Sequence, residues 1–524
     1  MAFAAVMVIA LFIHIWGINS VALDSDEIMW GVMADNTLHN GTHYLYFTDQ
    51  NFRGSIESYV ILPFYALFGL SVFTLRINTL IFGLLSSVAL FYITYKVTGK
   101  TLAAAVVTLF YNLALPQVMI VQNKAWGNYV LIQSVMLLCF YFFYKIYYLE
   151  NRSKLFLLIG LLSGFSFWAN EQSLYFLLPM MFFAIFSDFK QAAYLYRKGK
   201  SKLPGASILL WGAFSAYIIW IFYLIARRRM IFNPILTLVS KAGLKTLTPY
   251  IGSFNINLSN MIFFIAVLFA GVWFVSYLRK KENLVKNSAF ISLTVPALLI
   301  ISINVINNSF SRVSAEGMSV SQGIVFFKNN ILIMFFGNIW PLFLVLGLTG
   351  TLLRLYDIYK QRNYRYEVED IFIVSFVLFP LLLVFSSLPK ISNTPRYLII
   401  WWPVCAFLVV YTLNRLSGLV KAQYKYIPYM LFSIIWVCLV VLNFGQFREI
   451  SRNKVLQDQK YPGVVAAIKS SGKNTCVGDY WNVGKVMFYS KLQIKCFTSK
   501  AYGTYYKYLD IYKTSNPEAV YILN

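Results

Sequence analysis

The sequence predicts a polytopic α-helical membrane protein that ends in a small α/β domain, and three observations predict it. Hydrophobic residues make up 59% of the 524 residues and charged residues only 12%, about half the charged share of an ordinary soluble domain. Apolar runs long enough to cross a bilayer, about 20 residues each, recur along the chain. Past Gln446 these runs stop, and short strand-like pieces alternate with helical ones.

Thirteen transmembrane helices are expected. The first six lie near Ala2–Ser20, Val72–Tyr95, Leu102–Val121, Trp126–Tyr148, Leu155–Ala169 and Ser173–Phe186. The rest lie near Pro204–Ala226, Ile256–Leu278, Ser288–Ile306, Ile331–Leu353, Ile371–Leu388, Tyr397–Leu413 and Ile427–Phe444. An odd number puts the termini on opposite sides. With a cytoplasmic N-terminus, the loops and helix ends on that side hold 21 Lys and Arg, and the opposite loops hold 12. That bias supports the orientation, and the Arg227-Arg228-Arg229 run is the one feature against it. The net charge of +25 therefore sets topology. No basic stripe on a soluble face points to nucleic acid. The first run lacks the basic flank of a signal peptide, and Trp16-Gly17-Ile18-Asn19-Ser20 is a poor cleavage site, so it is expected to stay as a first helix.

The segment from Val21 to Ser58 stands apart. It holds six of the chain's 20 acidic residues (Asp24, Asp26, Glu27, Asp35, Asp49, Glu57) against one base, Arg53. A helix is expected to begin there, with Asp24 or Ser25 as its N-cap and acids in its first turn, where the helix dipole favours them. Asp35-Asn36 and Asn40-Gly41 read as turns. Ile56 to Phe68 is half apolar at helical spacing and too short to span, so it is expected along the membrane surface. His39 and His43 are four apart, but Gly41 between them argues against a metal-binding pair. In the tail, strands are expected at Thr475–Gly478, Leu492–Phe497 and Ala519–Leu523, with helices at Val464–Ser470 and Trp481–Ser490. The division is thus a membrane-embedded domain, residues 1–445, whose first external loop 21–71 carries the site, and a small extracytoplasmic domain, 446–524. Cys139, Cys405 and Cys438 fall in apolar spans as small packing residues. Cys476 and Cys496 fall in the tail, and the residues leave open whether they pair.

Carboxylates gathered at a lipid–water boundary need a reason, because burying them is costly. A helix start accounts for three of them without any function; the location, within reach of an amphiphilic donor and a polar acceptor, favours chemistry. Asp26-Glu27 just after the first span resembles the Asp-Glu pair of the first external loop in GT-C glycosyltransferases. The group it is similar to is the superfamily of protein O-mannosyltransferases and lipid A aminoarabinose transferases. Gly54-Ser55-Ile56-Glu57-Ser58-Tyr59, Phe68 to Arg76, Pro395-Arg396-Tyr397-Leu398 with Trp402-Pro403, and Gly478-Asp479-Tyr480-Trp481 resemble its later pieces in order. The chain departs from the best-known branches where they carry His-Pro-Pro-Leu or Lys-Pro-Pro stretches and it has Gly54-Ser55-Ile56-Glu57, so their acceptors do not carry over.

The resemblance implies transfer of a sugar, with inversion, from a dolichyl- or undecaprenyl-phosphate carrier to a protein, lipid or glycan acceptor. It also implies a site outside the cytoplasm in a plasma membrane, bacterial or archaeal. The acceptor hydroxyl must lose a proton, and Asp26 is the expected base, with Asp24 in reserve and Glu27 orienting a helix or the acceptor. The leaving phosphate needs fixed cations: Arg396, whose planar guanidinium grips phosphate in two-pronged fashion, then Lys124 and Arg53. An interfacial anchor is the plainer explanation for Arg396 and Lys124. Glu57 and Glu171 are candidates for acceptor or divalent-metal contacts, although two carboxylates are a thin ligand set for an ion that takes six or more oxygens. A transporter is the rival reading, disfavoured because no internal repeat is evident and the acids lie outside the spans. A non-catalytic scaffold subunit is the other.

Overall fold

The computed structural model describes residues 2–44, 47, 53–148, 152–173, 175–180, isolated positions between 325 and 337, 340–360, 367–385, 395–498 and 520–522. The spans expected at 204–226, 256–278 and 288–306, and the Arg227-Arg228-Arg229 run, lie outside the described residues. Among those described, five helical stretches are long and apolar enough to cross a membrane: Ala2–Ser20, Val72–Thr98, Trp340–Lys360, Leu398–Leu419 and Ala422–Leu442.

In chain order the helices are α1 (Ala2–Ser20), α2 (Ser25–Asn40), α3 (Ile56–Phe68), α4 (Val72–Thr98), α5 (Thr101–Asn112), α6 (Pro116–Asn123), α7 (Tyr129–Tyr148) and α8 (Arg152–Ala169). They continue as α9 (Trp340–Lys360), α10 (Val368–Phe385), α11 (Trp402–Leu419), α12 (Ile427–Leu442) and α13 (Phe444–Ser470). The short 3-10 turns Glu171–Ser173 and Pro395–Ile400 follow α8 and precede α11.

The third expected span is not one helix. α5 and α6 meet at 84°. Pro116 causes the break: it opens α6, and the residue before it, Leu115, is forced extended (φ −63°, ψ 158°). A helix broken inside an apolar bundle must satisfy its freed carbonyls from neighbours. Here the Trp402 indole and the Gln122 amide donate to the Tyr111 carbonyl at 3.0 and 3.2 Å, and the Trp436 indole donates to the Leu113 carbonyl at 2.9 Å. The bend has a consequence for function, because it turns residues 123–128 toward the start of α2.

Close helix contacts rest on small residues. His14 of α1 seats against Gly83 of α4, where a Cβ would come within 2.6 Å of the imidazole. α11 is the central element, buried on every face from Trp402 to Leu413. α12 turns Met430, Leu431, Ile434, Ile435 and Val441 outward, as a lipid-facing helix does.

α2 runs straight through Asp35-Asn36, where a turn was expected. Its inner face, Val32, Met33 and Ala34, is buried in the core, and Asp35 accepts a hydrogen bond from the Tyr65 hydroxyl of α3 at 2.6 Å. Packing thus overrides local turn preference. The helix stops instead at Gly41, which takes the left-handed conformation (φ 63°).

In the tail, β1 (Thr475–Gly478), α14 (Tyr480–Tyr489), β2 (Lys495–Thr498) and β3 (Val520–Ile522) form a parallel three-stranded sheet in the order β2-β1-β3. The helix expected at 464–470 is the end of the longer α13. The second strand begins three residues later than expected because Lys491 and Leu492 sit at positive φ (52° and 62°), in a turn that no strand can include. Cys476 and Cys496 face each other in the register and form a disulfide. Cys139 and Cys405 are buried free thiols, and Cys438 is free and exposed.

Candidate active site

The first turn of α2 organises the site. Successive helical residues project about 100° apart, so four neighbours address four different elements. Asp24 is the N-cap of a capping box: its carboxylate accepts from the Glu27 amide at 3.1 Å, and the Asp24 amide donates to Glu27 Oε1 at 3.3 Å. The other oxygen of Asp24 takes a hydrogen bond from Lys124 Nζ at 2.9 Å and one from the Trp126 indole. Burial pushes the Asp24 carboxyl up, but the Lys124 ammonium and the hydrogen bonds from Lys124, Trp126 and the Glu27 amide outweigh it and hold the group below the usual carboxylate range.

Ser25 points to the tail, donating to the Tyr480 carbonyl at 2.7 Å. Glu27 points inward and is fully buried. Its two oxygens receive Arg76 Nε and NH2 at 2.6 and 2.8 Å, in the two-pronged geometry of a strong pair. Arg76 also donates to the carbonyls of Ile18, Val21 and Ala22 at 2.6, 2.8 and 3.1 Å. Glu27 therefore locks the end of the first span to α4 and to the helix it starts; its oxygens also meet the Ala125 amide at 3.2 Å.

Asp26 is left facing the site itself. Its Oδ2 lies 3.5 Å from an Arg396 nitrogen and 3.8 Å from an Arg53 nitrogen, and its Oδ1 accepts from the Tyr480 hydroxyl at 2.9 Å. Both guanidiniums lie 6.0 Å from the Tyr129 ring centre, and Arg396 lies 5.8 Å from that of Trp126. Residues 26, 53, 126, 129, 396 and 480 thus converge from five separate stretches of chain.

Beside Asp26 a floor is knitted from three loops. Glu57 accepts from the Gly127 and Asn128 amides at 3.2 and 2.7 Å. The Asn128 side chain donates to the Gly54 and Ala169 carbonyls at 2.8 and 2.7 Å, and Asn170 donates to the Gly127 carbonyl at 2.8 Å. Gly127 sits at φ 107° with the Arg53 side chain against it, so a side chain there would be strained and would push Arg53 aside. Burial pushes the Glu57 carboxyl up to about 7, against the opposing pull of the two amides and Arg53.

Of the residues singled out in the sequence, Asp26, Arg53 and Arg396 stand together. Lys124 stands next to them but is engaged with Asp24, and it lies 4.5 Å from the Trp126 ring centre. Glu171 opens the 3-10 turn behind the floor, and its side chain lies outside the described residues. The described side chains of the site do not fit a divalent ion. Among those described, no three His, Cys, Asp or Glu side chains are placed to hold a metal ion; in the site Glu27 and Asp24 are neutralised by Arg76 and Lys124, and Glu57 faces amide donors. His39 pairs with Asp35 at 3.0 Å on its own helix. Sequence alone assigned no site role to Arg76, Trp126, Tyr129, Asn128 or Tyr480. A charged residue in an apolar span was a signal for Arg76, and both Arg76 and Tyr480 lie in stretches that resemble the GT-C superfamily, but the role of Tyr480 depends on where the tail docks.

No protein-family model matches the sequence, and no curated protein does. Solved structures match in fold. The crystal structure of ArnT from Cupriavidus metallidurans bound to undecaprenyl phosphate is similar over 99% of this chain and 89% of its own, with 12% identity and a TM-score of 0.50. The Archaeoglobus fulgidus oligosaccharyltransferase in complex with Zn and sulfate is similar over 93% of this chain, with 13% identity and a TM-score of 0.50. This chain spans 61% of that protein's length. Both are GT-C glycosyltransferases, and the chain has the GT-C fold.

Proposed function

We propose that this chain is a membrane glycosyltransferase that moves a sugar from a polyprenyl-phosphate carrier to an acceptor hydroxyl outside the cytoplasm, with inversion. One observation carries the reading: a carboxylate suited to be a base, Asp26, and a guanidinium suited to hold phosphate, Arg396, lie 3.5 Å apart though 370 positions separate them in the chain. The related fold of ArnT holds undecaprenyl phosphate, which agrees with a lipid phosphate as leaving group.

In this mechanism the donor phosphate engages Arg396 and Arg53, and the two-pronged preference of guanidinium for phosphate draws Arg396 off Asp26. The Asp26 Oδ2 atom then faces the acceptor. The acceptor oxygen attacks the anomeric carbon, its proton passes to Asp26, and the carbon–oxygen bond to phosphate breaks with its electron pair staying on the lipid phosphate. The arginines stabilise that developing charge. Glu27, Arg76, Asp24 and Lys124 hold the helix start in register. No metal step is invoked, because the carboxylates are engaged by cations and amides. The disulfide between Cys476 and Cys496 supports a tail in an oxidising space, on the side where such transfer takes place. The membrane-embedded domain (residues 1–445) and the tail (446–524) are the two units of this reading, and Glu171, from the turn behind the floor, is its further acceptor contact.

The test uses membranes containing the full chain and a panel of labelled undecaprenyl-phosphate hexoses and pentoses, reading release of the lipid phosphate. Asp26→Asn is expected to lower the rate by at least about a thousandfold with unchanged thermal stability. A wild-type chain inert toward the whole panel would support a scaffold role instead.

A further inference from the structure

We infer that Tyr480, supplied by the C-terminal segment, completes the site: its hydroxyl fixes Asp26 in the rotamer that presents Oδ2 to the acceptor. The inference rests on the transferase reading above and gives the tail a direct role in the reaction.

Four contacts carry it. The Tyr480 hydroxyl donates to Asp26 Oδ1 at 2.9 Å, opposite the arginines that face Oδ2. Tyr480 as a residue is 5% exposed, so this hydroxyl is not a surface group that happens to lie nearby. Its own carbonyl accepts from Ser25 at 2.7 Å, the residue next to Asp26. α14 also lies so close to α2 that a Cβ at Gly484 would come within 2.5 Å of Ser25 Oγ. From α13, the Gln457 side chain closes a two-way bond with the Leu23 backbone, donating and accepting at 2.8 Å. Both tail helices therefore grip the four residues Leu23 to Asp26, and one of them ends its grip on the reacting carboxylate.

The chemical consequence is specific. A carboxylate with one oxygen held by a neutral donor has its second oxygen aimed, whereas a carboxylate held only by arginines follows them when a phosphate draws them away. Tyr480 stays with Asp26 because its hydroxyl gains nothing from moving with the guanidiniums. It is a positioning residue.

The experiment is Tyr480→Phe in the full-length chain, which keeps the ring and its packing, with release of undecaprenyl phosphate as the readout. The expected result is a fall in kcat of about tenfold or more, as for loss of one hydrogen bond to a charged group, with KM for the donor within about twofold. In the Asp26→Asn background the same substitution is expected to cost nothing further, since its effect passes through Asp26. A Tyr480→Phe chain within about twofold of wild-type kcat overturns the inference, and so does a loss that recurs in full without the Asp26 carboxylate. A wild-type chain that releases no lipid phosphate from any donor fails at the transferase reading itself, a different outcome from either.

Discussion

Two ion clusters stand at opposite ends of α11, and they are built on opposite plans. Before its start, Arg396 and Arg53 converge on one carboxylate, Asp26, from loops hundreds of residues apart. Near its last turn, Arg415 pairs with Asp357, and close by one guanidinium, Arg354, collects three carboxylates: Asp370 at 2.8 Å, Glu367 at 3.6 Å and Glu369 at 3.9 Å. The second cluster is a local clamp, stitching the end of α9 to the start of α10 across 16 positions, with the Glu367 amide closing the loop on Asp370 at 2.8 Å. The first is assembled by the tertiary fold and gathers two cations on one acid, as the proposed phosphate-holding role requires. The lesson is that excess acid on one base closes a structure, while excess base on one acid leaves it ready for an anion. Buried pairs are weak evidence of stability gained but strong evidence of stability lost when one partner goes.

The largest effect that tests this contrast is on the support beside the site. Arg76→Met strands the fully buried Glu27, and a loss of about 3–5 kcal/mol is expected from thermal unfolding in detergent. Arg354→Met is expected to cost less, about 1–3 kcal/mol, because the buried Asp370 keeps the Glu367 amide at 2.8 Å and Glu367, 40% exposed, recovers water. Equal losses would show that the two clusters are built alike after all.

Next comes the division of labour. Arg396→Ala is expected to slow release of lipid phosphate about a hundredfold, while Arg354→Met leaves the rate within about twofold despite its cost in stability. An Arg354 variant as slow as the Arg396 variant would erase the distinction between clamp and site.

The last effect, confined to a window of pH, concerns Glu57. Its folded-state value of about 7 lies above its ordinary value of 4.5, so the native chain binds more protons than the unfolded one between those limits. Stability is therefore full below about pH 4.5, falls by roughly 2–3 kcal/mol as pH rises to about 7, and is flat beyond. Glu57→Gln removes that slope and keeps an acceptor for the Asn128 amide. A variant with the wild-type slope in unfolding experiments from pH 4.5 to 7 would show that Glu57 is not its source.

How far the site was legible differs residue by residue. An N-cap at Asp24 or Ser25, which proves to be Asp24, and a helix over Ile56–Phe68 were readable because both depend on neighbours within a few positions. The bend between α5 and α6 was also written locally, in Leu115-Pro116, yet the apolar run through it reads as one span, since hydropathy records burial and not direction. Asp35-Asn36 went the other way: turn-forming residues lie mid-helix because their neighbours pack a core. Asp26 and Arg396 were identifiable as chemical types at plausible depths. That they meet, that Glu27 is committed to Arg76, and that Tyr480 closes on Asp26 all required knowing which loops share a space.

The sequence by itself determined the fold class, the start or stop of several helices, and the kind of group each candidate brings. Those follow from hydropathy over about 20 residues and from capping and proline geometry, all short-range. Only the tertiary structure decided the partners, because an ion pair between positions 26 and 396, or a hydroxyl from position 480, has no local trace. In the acidic segment after the first span, composition could say that carboxylates gather. The fold assigns them separate work: Asp24 to cap, Glu27 to anchor, Glu57 to hold the floor, and Asp26 to face the arginines.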